Sequence, residues 1–140
     1  GAGPAWFLLD LSRPVRPFIY QERIPFILQR RTNEGDENVF VQDDYHYGVR
    51  GRCNVGFGLW QMAYASKAPL TVENYETARA ALANMRGDNG RKLGIKGTHL
   101  LVPAAIEGDG RRIVKNQLAA DGSSNPWIDS AELVVSSWLD

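Results

Sequence analysis

Leu70-Thr71-Val72-Glu73-Asn74-Tyr75-Glu76-Thr77-Ala78-Arg79-Ala80-Ala81-Leu82-Ala83-Asn84-Met85-Arg86-Gly87 is where the chain changes period. Thr71 fits an N-cap, and Glu73 and Glu76 follow where the helix dipole favours negative charge. Tyr75, Ala78, Leu82 and Met85 fall at helical spacing and predict one buried stripe. Arg86 ends the helix and Gly87 supplies a left-handed stop. Asp88-Asn89-Gly90 then reads as a turn. Beyond it, 98–102 reads as a strand closed by Pro103. Ile113, Val114 and Leu118 mark a second helix of about ten residues. A Gly-Ser-Ser-Asn-Pro loop leads to a terminal strand at 131–136. Helix, strand, helix, strand is the order of an α/β lobe over 67–140.

Upstream, 1–66 is strand-rich. Trp6-Phe7-Leu8-Leu9-Asp10-Leu11 is a short apolar run. Phe18-Ile19-Tyr20 and 24–29 are two further β-rich runs, with Pro17 and Pro25 at their starts, positions that suit edge strands. Asn33-Glu34-Gly35-Asp36-Glu37-Asn38 is an acidic turn former, read as an exposed loop, after which Val39-Phe40-Val41 resumes a strand. Tyr45, Tyr47, Val49, Gly51 and Cys53 alternate with Asp44, His46, Gly48, Arg50 and Arg52. A period of two predicts a half-buried strand, with aromatics and Cys53 facing in and arginines facing out. Gly56 and Gly58 suggest a bulge or a close backbone approach, and 59–64 either extends the strand, the favoured reading, or begins a helix. The two segments, 1–66 and 67–140, are expected to share one compact unit.

Composition narrows the function classes. The chain has 140 residues, 44% hydrophobic and 23% charged, enough apolar material for a packed core. Sixteen basic residues balance sixteen acidic ones. No basic excess points to general nucleic-acid binding, and little self-repulsion opposes close packing of copies. One cysteine excludes an internal disulfide framework. No run approaches the roughly 18 apolar residues of a membrane span. Gly1-Ala2-Gly3-Pro4 lacks a signal-peptide layout and an initiator Met, as a fragment or processed product would. Cytoplasmic synthesis is the simplest expectation.

Catalytic constellations are thin. The histidines are His46 and His99, and no Gly-x-Ser-x-Gly elbow is present. His99 falls inside a strand, where a packed imidazole is expected, and His46 falls on a charged face. Cys53 reads as a small core hydrophobe. Asp43-Asp44 near His46 offers metal-type ligands, but strand neighbours point to opposite faces. Neither a metal nor another cofactor is expected. A small hydrolase-like α/β enzyme using His99 or Cys53 is one alternative reading, and a small adaptor module is another. Arg50 and Arg52 are either solvated or paired with carboxylates of a neighbouring subunit. Trp6, Trp60, Trp127 and Trp138 are core or contact residues.

A collinear series of segments resembles the Mu-like prophage major head subunit family. It comprises Pro4-Ala5-Trp6-Phe7-Leu8-Leu9-Asp10-Leu11-Ser12-Arg13, Pro17-Phe18-Ile19-Tyr20-Gln21, Asp36-Glu37-Asn38-Val39-Phe40, and Tyr47-Gly48-Val49-Arg50 with Asn54-Val55-Gly56-Phe57-Gly58. It continues through Gly90-Arg91-Lys92-Leu93-Gly94-Ile95, Leu100-Leu101-Val102-Pro103, Ser124-Asn125-Pro126-Trp127 and Ala131-Glu132-Leu133-Val134-Val135-Ser136. The resemblance implies the C-terminal portion of a subunit about twice this long, without the N-terminal arm and spine helix. It implies an α+β fragment of the tailed-phage (Hong Kong type) capsid fold, a mixed sheet with two helices. In that frame 1–66 is peripheral-lobe-like and 67–140 axial-lobe-like. It further implies a structural protein of the virion shell, forming homo-oligomeric hexamers and pentamers, with a scaffold protein as a possible partner. Asp36, Glu37, Arg50 and Arg52 are the candidate subunit contacts. Ala104 stands where the family tends to have a second proline, and Asp109-Gly110 where it tends to have helix formers, so the second helix is expected to start late.

Overall fold

The computed structural model describes residues 2–33, 35, 39, 45–119 and 122–139. By internal contacts the chain divides into two units, Gly1–Pro17 with Phe57–Asp140, and Phe18–Gly56.

The first unit is α+β. β1 (Trp6–Leu9), β4 (Ala63–Ser66), β5 (His99–Pro103) and β6 (Glu132–Ser136) form one mixed sheet in the order β4-β1-β5-β6. β1 runs antiparallel to both β4 and β5, and β5 runs parallel to β6. The helices α1 (Val72–Asn84) and α2 (Glu107–Val114) supply the connections before β5 and before β6. Both helices bury their apolar stripes in one cluster. Trp6 and Leu8 of β1 and Leu100 and Val102 of β5 meet Tyr75, Ala78 and Leu82 of α1 and Ile113 and Val114 of α2. Each buried Leu, Ile or Val among them contributes about 1.5–3 kcal/mol relative to exposure.

Thr71 caps α1 as expected, accepting the Asn74 N–H at 3.3 Å; of the expected stripe, Tyr75, Ala78 and Leu82 are buried, whereas Met85 lies past the helix end and is only partly buried. Gly87 is not the left-handed stop. Helix α1 ends at Asn84, Met85 turns extended (φ −57°, ψ 133°), and residues 85–93 fold back as a turn. Its positive-φ residue is Gly90, at +70°. The second helix starts early, not late: a 3-10 turn, Ala104–Ile106, leads straight into Glu107. Gly110 lets α2 lie on the sheet, since a Cβ there would stand 2.9 Å from Leu133 Cδ1. Leu118, expected in α2, lies beyond it, 61% exposed and bridged to Ser124. Segment 59–64 is not all strand. A 3-10 turn, Trp60–Met62, closed by the Met62 N–H on the Leu59 carbonyl, drops Met62 into the core before β4 begins.

The second unit is a two-stranded ribbon, β2 (Phe18–Arg31) paired with β3 (His46–Phe57). The two runs expected before residue 30 are one strand that passes through Pro25. A strand with a single neighbour has an outer edge where a missing N–H breaks no ladder bond. Of the expected Val39-Phe40-Val41 strand, Val39 is helical, and Phe40 and Val41 lie outside the described residues.

Candidate assembly surfaces

Segments far apart in sequence are tied by side chains bonded to backbone. Asp10, 1% exposed at the end of β1, accepts the Ser12 N–H and hydroxyl at 3.0 and 2.5 Å and the Lys96 N–H at 3.0 Å. Burial alone would push its carboxyl up. The bonds from Ser12 and Lys96, with Arg13 4.0 Å away, outweigh that and hold it below the usual carboxylate range. Arg13 in turn donates to the Leu93 and Gly94 carbonyls. Asn125 is a side-chain cap for α2. Its amide donates to the Ile113 and Asn116 carbonyls, each at 2.8 Å, and its oxygen accepts the Trp127 N–H at 3.0 Å. Arg79 lies over the Tyr75 and Trp127 rings and donates to the Gly97 and Ser130 carbonyls at 3.1 Å. These groups tie the loops of the first unit to its sheet and helices.

The residues of the enzyme alternative are not assembled. His99 is placed by β5, with Nδ1 2.9 Å from the Thr98 hydroxyl and Nε2 3.1 Å from Glu132 on β6, so both ring nitrogens are engaged. His46 and Cys53 stand at opposite parity on β3 and so on opposite faces. They share no site. Cys53 is exposed, which corrects the expectation of core packing. A groove of about 580 Å³ beside α2 and Trp127 has no His, Cys or Ser among its described lining residues. The described residues include no cluster of three or more metal-ligating side chains and no helix long and apolar enough to cross a membrane.

The ribbon is different. The Tyr20 hydroxyl meets the Cys53 thiol across the strands, a hydrogen bond that raises the Tyr20 pKa, and the Phe26 ring covers Gly51. Even positions of β2 therefore share a face with odd positions of β3. That face carries Tyr20, Phe26, Leu28, Tyr47, Val49 and Val55, all between 59% and 75% exposed. The opposite face carries Arg23, Arg31, Arg50 and Arg52. The alternation read from sequence gives the right faces, and the half-buried strand it predicted is wrong: the aromatics are exposed, and among the described residues of the ribbon unit no second layer covers them. Arg50 and Arg52 are exposed on one face. Asp36 and Glu37 lie outside the described residues, as does Asp43-Asp44.

Among protein families, the model of the Mu-like prophage major head subunit gpT matches residues 1–139. The chain belongs to that family. Similar curated members are the Mu-like prophage FluMu major head subunit of Haemophilus influenzae and the major capsid protein of Escherichia phage Mu. The first is 43% identical over 117 residues, 84% of this chain and 38% of that protein. The second is 38% identical over 141 residues, 99% and 46%. Among solved structures, a chain from the procapsid of bacteriophage JBD30 superposes with TM-score 0.86 at 42% identity, covering 99% of this chain and 46% of its own. A chain of the JBD30 capsid superposes at 0.85 with 20% identity, covering 100% and 49%. This gpT-family chain spans less than half the length of the curated relatives it matches. Its mixed sheet with two helices is the capsid-type α+β fold expected from the sequence. Arg13 and the Leu93 and Gly94 carbonyls that it reaches both fall in resemblance-bearing segments, and so do Asp10 and Asn125.

Proposed function

We propose that the chain is a shell-forming part of a phage or prophage major head subunit, whose work is self-association in the virion capsid. The observation that carries this reading is the collinear family match across residues 1–139. The geometry is in keeping with it: an α/β unit whose loops are tied by buried side chains, and a ribbon that exposes one apolar and one basic face. The α/β unit is assigned to the axial lobe and the ribbon to peripheral material. Rings are closed by heterologous contacts, in which different patches meet head to tail. Arg50 and Arg52 supply the basic patch. Asp36 and Glu37, in a connecting segment 34–44 that carries five acidic residues and no basic one, supply its complement. A scaffold protein is a further partner in this reading.

Charge reversal tests it. The double variant Arg50→Glu/Arg52→Glu, made in the head subunit that carries this chain, is expected to lower the yield of sedimenting shells several-fold. Adding Asp36→Lys/Glu37→Lys is expected to restore it. Full yield from the first variant, or failure of the second to rescue a folded subunit, contradicts the assigned contact. Absence of shells with the unaltered subunit contradicts the function.

A further inference from the structure

We infer that the apolar face of the ribbon is a two-fold contact with the same face of a second copy of this chain, a reading that rests on the proposed self-association and names its surface. Three observations converge. First, the face is contiguous and large. Six of its big apolar side chains, Tyr20, Phe26, Leu28, Tyr47, Val49 and Val55, expose on the order of 700 Å² together, close to the ~800 Å² per partner of a stable protein interface. A patch of that size is above what a soluble monomer usually leaves open. Second, charge selects the face. The opposite side carries Arg23, Arg31, Arg50 and Arg52, so two copies meeting there would set like charges together, whereas the apolar side carries Glu22 and Arg30 as its charged residues on β2 and none on β3. Third, the ribbon alone is a poor fold. Two strands of 14 and 12 residues, with no further layer among the described residues of their unit, are marginal in water, and stacking apolar face on apolar face supplies one. Such a contact is isologous, and so suits joining one ring of subunits to the next rather than closing a ring.

Cys53 reports on it directly. It is the chain's one cysteine, it is exposed, and it lies on this face beside Tyr20. Sedimentation of the 140-residue chain is expected to show a concentration-dependent dimer. In that dimer Cys53 alkylation by a maleimide should be several-fold slower than in dilute monomer. Val49→Asp and, separately, Leu28→Asp are expected to give monomers with unchanged far-ultraviolet circular dichroism and fast alkylation. Arg50→Glu is expected to keep the dimer. A wild-type monomer at the highest soluble concentration overturns the inference. So does a dimer that survives both Asp variants, or a monomer whose Cys53 is already protected by its own chain. The shell assay separates the two readings. Normal shells from Val49→Asp and Leu28→Asp subunits sink this contact and leave the capsid function standing, whereas no shells from the unaltered subunit sink both.

Discussion

Asp10 shows what a single side chain does for this fold. Three donors end on one buried carboxylate, so Asp10→Ala leaves the Ser12 and Lys96 amides unsatisfied and is expected to cost about 2–4 kcal/mol in denaturant unfolding. Its folded pKa is lowered, so its contribution is complete above the unfolded value and is lost as pH falls through the folded one. Unfolding midpoints measured on descending pH should therefore fall in the acid range, less steeply in Asp10→Asn. Asn125 makes a second case. Asn125→Ala is expected to cost about 1–3 kcal/mol, and Asn125→Asp at least as much, because a carboxylate would face the carbonyl end of α2. Gly97 is a third: a Cβ there would stand 2.6 Å from Leu8 Cγ, so Gly97→Ala should cost about 1–3 kcal/mol by overpacking. None of these roles was legible in the sequence from the residues alone. Lys96 is 86 positions from Asp10, and Gly97 meets a side chain of another strand. Thr71 was legible, because its partner is three residues away.

At the scale of elements, local signals were read well where both partners lie within one turn or one strand. The α1 stripe, its cap, the Gly90 turn, β1, β5 and β6 all follow from period and punctuation. Thr71→Ala is expected to lower stability by about 1 kcal/mol while Thr71→Ser holds it, read from thermal unfolding. The misreadings share a physical cause. Alternation in 45–53 says that a strand has an apolar face; it does not say what covers that face, and among the described residues of the ribbon unit nothing does. Glycines suggested a late α2, but Gly108 and Gly110 sit inside it, Gly110 because the sheet comes too close for a side chain. The ribbon's two exposed faces also set its dynamics. Amides of β2 and β3 in dilute chain are expected to exchange hydrogen well before those of β1 and β5, whose side chains are in the core. Equal protection across both units would count against the division.

At the scale of the molecule, equal numbers of acidic and basic residues leave copies of the chain little net repulsion, and the surface that remains open is apolar on one side of a ribbon and cationic on the other. The family reading came from a series of short segments, and two of them, 4–13 and 90–95, are tied together by Arg13. The candidate contacts were only half reachable, since Arg50 and Arg52 fall on a described strand and Asp36 and Glu37 do not. Electron microscopy of the head subunit carrying this chain, produced together with the other head proteins of its phage, addresses the central claim most directly. Closed shells of uniform size, with density for the α/β unit repeated across the wall, are the result expected; soluble, unassembled subunits under every condition of co-production would contradict it.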